Sequence, residues 1–430
     1  MADALPYTTP EPAPKRDVVL LYATRMLRMF GYGLVFFVFV LYLSELGFSV
    51  PAQGALLTLT LLGDTAISIW LTTHADRIGR RKMLLVGALL MLGAGLAFVF
   101  TTNYVLMLIA ATIGVISPSG NEVGPFLAIE QAALSHLIPS AKHTSAFAWY
   151  NLAGSVCTAT GALAAGFASY ALQHYHGKSA ADSYRMVLLV YAFIGGGLAL
   201  LFLLVSSRVE VARAAEPRKL FLGLHRSRGV VFKLSALFSL DAFAGGFIIQ
   251  SLVVLWFKVR FGTNEQALGW IFFRANILAG FSALSASWLG KKFGLLNTMV
   301  FTHIPSNVLL ILVPLMPNET LAIAMLLARF SISQMDVPTR QAFTMALVDP
   351  DERSAAAGVT GVARTTGAAL SPMLARQLLS AAASSPVFSI PFYAAGGLKI
   401  VYDLIIWRSF RAVQMREEQQ RQAGGGAAGK

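Results

Sequence analysis

The chain is 430 residues long, 56% apolar and only 13% charged, with a mean hydropathy of +0.64. Ordinary soluble domains carry about 25% charged residues, and this apolarity runs along the whole length, so a water-soluble globular protein is excluded. The formal net charge of +13 reads as a topology signal rather than a nucleic-acid footprint, because basic residues collect at the cytosolic ends of membrane spans.

A helix needs roughly 20 apolar residues to cross hydrocarbon. Twelve such stretches follow one another at 18–43, 53–74, 83–101, 104–133, 145–171, 186–206, 232–257, 265–289, 295–316, 320–347, 355–380 and 387–407. The predicted fold class is an all-α polytopic membrane protein in the lipid bilayer. With the N-terminus inside, the inner segments hold 21 Lys and Arg, the outer loops 4 (Lys178, Arg185, Lys258, Arg260) and the spans 9. Both termini are therefore expected in the cytosol. Residues 1–17 form a cytosolic N-terminal segment, polar and Pro-rich at its start, in which no apolar run precedes a cleavage site; no cleaved signal peptide is expected, and span 1 serves as its own insertion signal. Cys157 is the only cysteine, which excludes an internal disulfide and a cysteine-based metal site.

Span 4 contains an anomaly, "SGNEVGPFLAIEQ" at 119–131, where Asn, two Glu, two Gly and a Pro interrupt an apolar run. An uncompensated charge there costs about 2.5–3.5 kcal/mol on insertion scales. Such a segment is tolerable if the helix is locally broken and turned toward a watery cavity. Residues 207–231, basic and only moderately apolar, read as a cytosolic linker between a first unit at 18–206 and a second at 232–408. Residues 409–430, low in complexity, read as a disordered cytosolic tail.

The two units share one plan. At a shift of about 213 residues, "RMFGYGLVFFVFVLYL" (28–43) lies over "DAFAGGFIIQSLVVLW" (241–256), pairing Phe30 with Phe243 and Gly33 with Gly246. "NEVGP" (121–125) lies over "MDVPT" (335–339), pairing Glu122 with Asp336, and "TGA" at 160–162 meets "TGA" at 366–368 after small deletions. Matches in order at a nearly constant shift argue for a duplicated six-span unit.

After the second span stands "TTHADRIGRRKML" (72–84). It resembles the signature of the major facilitator superfamily, Gly-x-Leu-Ala-Asp-Arg-x-Gly-Arg-Lys-x-x-Leu, through Ala75, Asp76, Arg77, Gly79, Arg80 and Leu84; Thr72 and His74 depart from it, and Lys82 lies one place late. The counterpart "LGKKFGLLN" (289–297) keeps Gly294 and its basic character. The resemblance covers essentially the whole chain and implies two six-helix pseudo-symmetric bundles and a gating loop made by Asp76, Arg77, Gly79 and Arg80, with Glu130 pairing to a base of that loop. Gly79 suits the tight turn, Asp76 an acceptor for a helix N-terminus. The family's span-4 arginine is absent, Val115 lying opposite Arg329, and its span-5 antiporter motif is degenerate in "GSVCTATGALAAG" (154–166).

In that fold spans 1, 4, 7 and 10 line the central cavity, and here they carry Arg28, Glu122, Asp241 and Asp336. Arg28 and Asp241 lie at similar depth and are expected to meet across the pseudo-two-fold axis. Arg329, Asp336 and Arg340, spaced seven and four apart, place plus, minus and plus on one face of span 10. Arg364 on span 11 reaches the same cavity. Asp64 and Arg274 are candidates for a gate, Lys399 and Asp403 for a self-satisfying pair, Arg25 for a snorkelling position, and His303 for a hydrogen-bonded packing residue.

The expected function is secondary active transport of a small solute by alternating access, coupled to protons or other ions, with export the leading direction and Glu122 the leading proton carrier. No nucleotide-binding loop occurs, and neither a cofactor nor a nucleic-acid partner is expected. Uptake or exchange of an organic anion, suggested by the span arginines, is the alternative within the same fold. A receptor or scaffold without transport is the alternative from another class, and the paired span charges count against it. An enzyme is the least supported reading, since no nucleophile–base set or metal cluster is present. A monomer in a plasma or inner membrane is expected. Asn318-Glu-Thr320 matches a glycosylation sequon too close to the bilayer to carry an inference.

Overall fold

The computed structural model describes residues 15–121, 126–139, 143–210, 224, 226–349 and 352–425. Its described residues are almost entirely helical. They comprise α1 (Lys15–Glu45), α2 (Val50–Ile78), α3 (Arg80–Phe100), α4 (Tyr104–Ile113), α5 (Phe126–Leu137), α6 (His143–His174), α7 (Ala180–Leu204), α8 (Arg228–Gly246), α9 (Gln250–Phe261), α10 (Glu265–Phe293), α11 (Leu295–Leu312), α12 (Glu319–Ile332), α13 (Asp336–Leu347), α14 (Arg353–Leu378) and α15 (Ile390–Gly425). Ten of the stretches read as spans are helical, long and apolar enough to cross a membrane, α8–α9 and α12–α13 each counting as one. The fourth stretch is divided between the short apolar helices α4 and α5, and the eleventh is α14, whose 26 residues include Arg353, Arg364 and Arg376. The chain is an integral, multi-pass membrane protein.

Three spans are broken. The break after α4 contains Val115 at φ 54°, a left-handed conformation for a β-branched residue, so span 4 is not a continuous helix. Span 10 breaks at residues 333–335, which puts Pro338 in the first turn of α13, where its missing N–H is harmless. Span 7 breaks at residues 247–249, directly after the Gly245–Gly246 pair. In the other direction, residues 409–425, expected as a disordered tail, continue α15; Arg, Glu and Gln are good helix formers, and the helix already runs in from the span.

Five helices that start at the end of the molecule opposite Lys15 are capped by short polar side chains: Ser49 for α2, Asn103 for α4, Ser179 for α7, Asn264 for α10 and Asn318 for α12. This end is called distal below, and the other the terminal end.

The repeat in the sequence is a repeat in packing. Gly33 on α1 lies against α6 so closely that an added Cβ would stand 2.3 Å from the Thr158 carbonyl oxygen, and Gly161 of the first "TGA" likewise faces Phe30 O at 2.2 Å. Gly246 on α8 meets α14 in the same way, 2.4 Å from Ala368 O, and Gly367 of the second "TGA" faces Ser239 O at 2.4 Å. Small residues let these helix backbones touch, the usual means of tight association in lipid.

Polar contacts between the segments before residue 210 and those after 226 lie toward the distal end. Arg376 donates from Nε to Gln53 Oε1 at 2.8 Å, Tyr184 donates to Glu265 at 2.8 Å, and Ser251 N donates to Pro118 O at 3.3 Å. Lys258 also donates to Glu265. There α6 and α10 cross at Gly166 and Gly269.

Candidate functional site

Two buried charge networks occupy the helix bundle. In the first, Arg28 on α1 donates from Nη1 and Nη2 to the two carboxylate oxygens of Glu130 on α5, each at 2.8 Å, and neither side chain is exposed. Thr24 donates to Glu130 Oε1 at 2.9 Å, and Tyr150 on α6 donates to Oε2. A carboxylate that accepts a bidentate guanidinium and two hydroxyls has its lone pairs filled, which is what burial of a charge demands. The Phe126 ring lies 4.5 Å from the Arg28 guanidinium, and Arg25 lies 4.1 Å from the Tyr150 ring while donating to Asn151 at 3.2 Å.

The second network joins four helices. Asp241 on α8 accepts from Lys399 on α15 at 2.6 Å and from Arg340 on α13 at 3.2 Å, and Arg340 also pairs with Asp336 one turn earlier at 2.7 Å. His303 on α11 hydrogen-bonds Asp403 at 2.9 Å and lies 3.9 Å from Asp241. Asn307 donates to the other Asp403 oxygen at 3.4 Å. All of these side chains are buried.

Several expectations change. Arg28 and Asp241 do not meet, because each finds an opposite charge within its own part of the chain, Arg28 at Glu130 and Asp241 at Lys399 and Arg340. Glu130 does not pair with the loop at 72–84; it is fully buried against Arg28. Lys399 and Asp403 do not pair with each other, since each reaches another helix. Arg25 does not snorkel to the interface but is buried on Tyr150. The plus-minus-plus stripe is not one face of one helix, because the break at 333–335 sets Arg329 on α12 and leaves Asp336 with Arg340 on α13. The Asp336–Arg340 pair itself is present, and His303 is hydrogen-bonded as expected. Glu122 lies outside the described residues, as do the side chains of Asp76 and Arg77.

The loop after span 2 has its turn at Gly79, whose φ of +118° is a conformation L residues avoid. The acid that serves its helix is Glu210, beyond α7: Arg80 N donates to it at 2.6 Å and Arg81 N at 3.1 Å, so a carboxylate caps the first turn of α3. The Arg81 guanidinium donates to the carbonyls of Phe202 and Leu203 at the end of α7. Glu352 repeats the device, accepting from Arg226 N and Ser227 N, each at 2.8 Å, at the start of α8. Sequence reasoning missed Glu210, Glu352, Tyr150 and the Gln53–Arg376 contact. Each of these contacts joins residues 20 or more positions apart in the chain, so no local pattern announced them.

The repeat survives these changes. Arg28 and Asp241 are matching positions, as are Phe126 and Arg340, and within each unit the two positions are in contact: Arg28 with the Phe126 ring, Asp241 with the Arg340 guanidinium.

Comparison with known proteins agrees with this architecture. A Saccharomyces cerevisiae protein described as an uncharacterized membrane protein is 30% identical over 436 residues, covering 94% of this chain and 96% of the relative. Among solved structures, the nucleoside transporter NupG superposes with a TM-score of 0.70 at 14% identity, covering 92% of this chain and 99% of that one. The xylose transporter XylE from E. coli, in a partially occluded inward open conformation, gives 0.67 at 15% identity, covering 91% and 97%. A bacterial homologue of the iron transporter ferroportin in an inward-facing state gives 0.68 at 12% identity, covering 92% and 98%. At such identities the likeness is one of fold. The model of the Major Facilitator Superfamily matches residues 21–372, and the chain belongs to that family of transporters.

Proposed function

We propose that the chain is a proton-coupled secondary active transporter that moves a small solute by alternating access between two six-helix units, residues 18–206 and 232–408. The observation that carries this reading is the closure of the distal end, where Arg376 donates to Gln53 and Tyr184 to Glu265 across the two units; a rocking-bundle carrier makes and breaks such a closure in its cycle. The basic residues of the inner segments support a cytosolic position for the terminal end. The twelve-span reading requires α4 with α5, and α14, to cross the bilayer as well; the buried Arg28–Glu130 ion pair on α5 and the close packing of α14 against α8 support it.

Glu122 is the proton carrier in this reading. Asp336, its repeat mate, is held by Arg340, whereas the position matching Arg340 in the first unit is Phe126. Such a cycle is reversible; export, the leading direction, has proton and solute occupy the carrier alternately, and uptake has them bind together.

The test is proton movement into proteoliposomes, read with a trapped pH dye across a panel of small solutes. Wild-type protein is expected to give solute-dependent proton flux and Glu122→Gln none, with solute exchange retained because the amide imitates the protonated acid. Normal flux in that variant would place the proton elsewhere, and Asp241 would be examined next.

A further inference from the structure

The second charge network is not balanced. Four cations, Arg329, Arg340, Arg364 and Lys399, stand with three carboxylates, Asp241, Asp336 and Asp403, and protonation of His303 adds a further positive charge. Arg340 and Lys399 have partners at hydrogen-bond distance. Arg329 and Arg364 do not: the Nε of each is buried without a hydrogen bond, and neither guanidinium has an ion-pair or hydrogen-bond partner among the described residues. The Arg329 guanidinium lies 5.2 Å from the neighbouring Phe330 ring. Arg364 lies close enough to Arg340, Asp241 and Asp336 to interact electrostatically with them, and Arg329 to interact with Asp336.

Both arginines sit deep in their spans. Arg329 is ten residues from the distal start of α12 and Arg364 eleven from the terminal start of α14, about 15 Å from either end at 1.5 Å per residue. Neither can reach the interface as a snorkelling side chain does. A guanidinium there without a counter-charge is costly, and such residues mark substrate or ion pathways. Each is also partly accessible rather than sealed in the core, unlike Arg340, which is 2% exposed.

We infer that Arg329 and Arg364 form the solute site of this carrier, and that its solute is an organic anion bearing a carboxylate or phosphate. The guanidinium fork matches either oxyanion. The inference rests on the transporter reading and adds the chemistry of the solute. Asp241 and Asp336 hold Arg340 and Lys399, and Asp403 is taken by His303 and Asn307, so the two free guanidiniums are left for a guest. The arriving anion supplies the missing negative charge.

The test uses purified full-length protein in detergent, with acetate and inorganic phosphate as the minimal oxyanions and chloride at equal ionic strength as the reference. Thermal unfolding is the readout. Acetate or phosphate is expected to raise the melting temperature by a few degrees above chloride, more by acetate for a carboxylate site and more by phosphate for a phosphate site. Arg329→Gln and Arg364→Gln should each abolish that rise, and Lys178→Gln, on the exposed distal surface, should retain it. Each Gln variant should also melt higher than wild type in chloride, since it removes an uncompensated charge; a residue whose role is structural would melt lower. Arg329→Lys and Arg364→Lys, which keep the charge and lose the fork, should give a reduced rise. The inference is overturned if neither oxyanion exceeds chloride, if the rise survives both Gln variants, or if both Gln variants lower the chloride melting point. Disulfide locking of the distal end, described below, tests the carrier cycle independently, so a failed anion site and a failed transporter reading are told apart.

Discussion

Glu130 on α5 accepts both hydrogen bonds of the Arg28 guanidinium on α1 at 2.8 Å, in a place from which solvent is excluded. The pair holds α5, the second half of the broken fourth span, against α1. Breaking a buried ion pair by removing one partner leaves a bare charge and costs about 3–5 kcal/mol, whereas replacing both by apolar residues is often near neutral.

Arg28→Leu and Glu130→Leu are therefore each expected to lower thermal stability strongly, and the double variant to recover most of it. Unfolding curves of the three proteins in detergent measure this. Additive losses in the double variant would show that the two side chains are not coupled.

The cap on α3 gives a second prediction. Glu210 serves two backbone N–H groups at a helix start, and a lost cap costs about 0.5–2 kcal/mol. Glu210→Ala should lower stability within that range. Gly79→Leu should cost more, because a branched side chain is forced to a φ of +118°. If Gly79→Leu melts like wild type, the turn has an alternative conformation and the loop is not held as described.

How far the sequence anticipates these arrangements depends on the range of the interaction. Gly33 and Gly246 are legible because duplication keeps the glycines where two helices cross, and a constant shift exposes the pattern. The Asp336–Arg340 pair is legible because i and i+4 share a helix face. The same rule misleads at Lys399 and Asp403, where each side chain finds a stronger partner on another helix: Lys399 reaches Asp241, 158 residues away, and Asp403 reaches His303, 100 residues away. Helix pairing at that separation leaves no local trace. The expected meeting of Arg28 with Asp241 fails for a related reason, since matching positions in a duplicated unit repeat each other's neighbours rather than face each other. The break in span 10 is announced by Pro338, but that in span 7 is marked only by glycines, which also serve close packing.

The last prediction concerns the distal closure. Gln53 lies on the first turn of α2 and Arg376 on the last turns of α14; both are buried, and the 2.8 Å hydrogen bond between them joins the two units. Opening that end must separate them, and what holds them is modest, because a hydrogen bond to a charged group is worth only about 1.5–3 kcal/mol net. A closure of this strength can be reversed in a transport cycle, whereas a covalent link there cannot. In a Cys157→Ser background, which leaves no other thiol, Gln53→Cys with Arg376→Cys is expected to form a disulfide under oxidation, stop solute-dependent proton flux in proteoliposomes, and regain it on reduction. Arg376→Gln alone should keep the contact but weaken the closed state, shifting an exposed cysteine probe at the distal end toward faster labelling. If the oxidised double-cysteine protein transports as fast as the reduced one, the distal end does not open in the cycle, and its closure ceases to support alternating access.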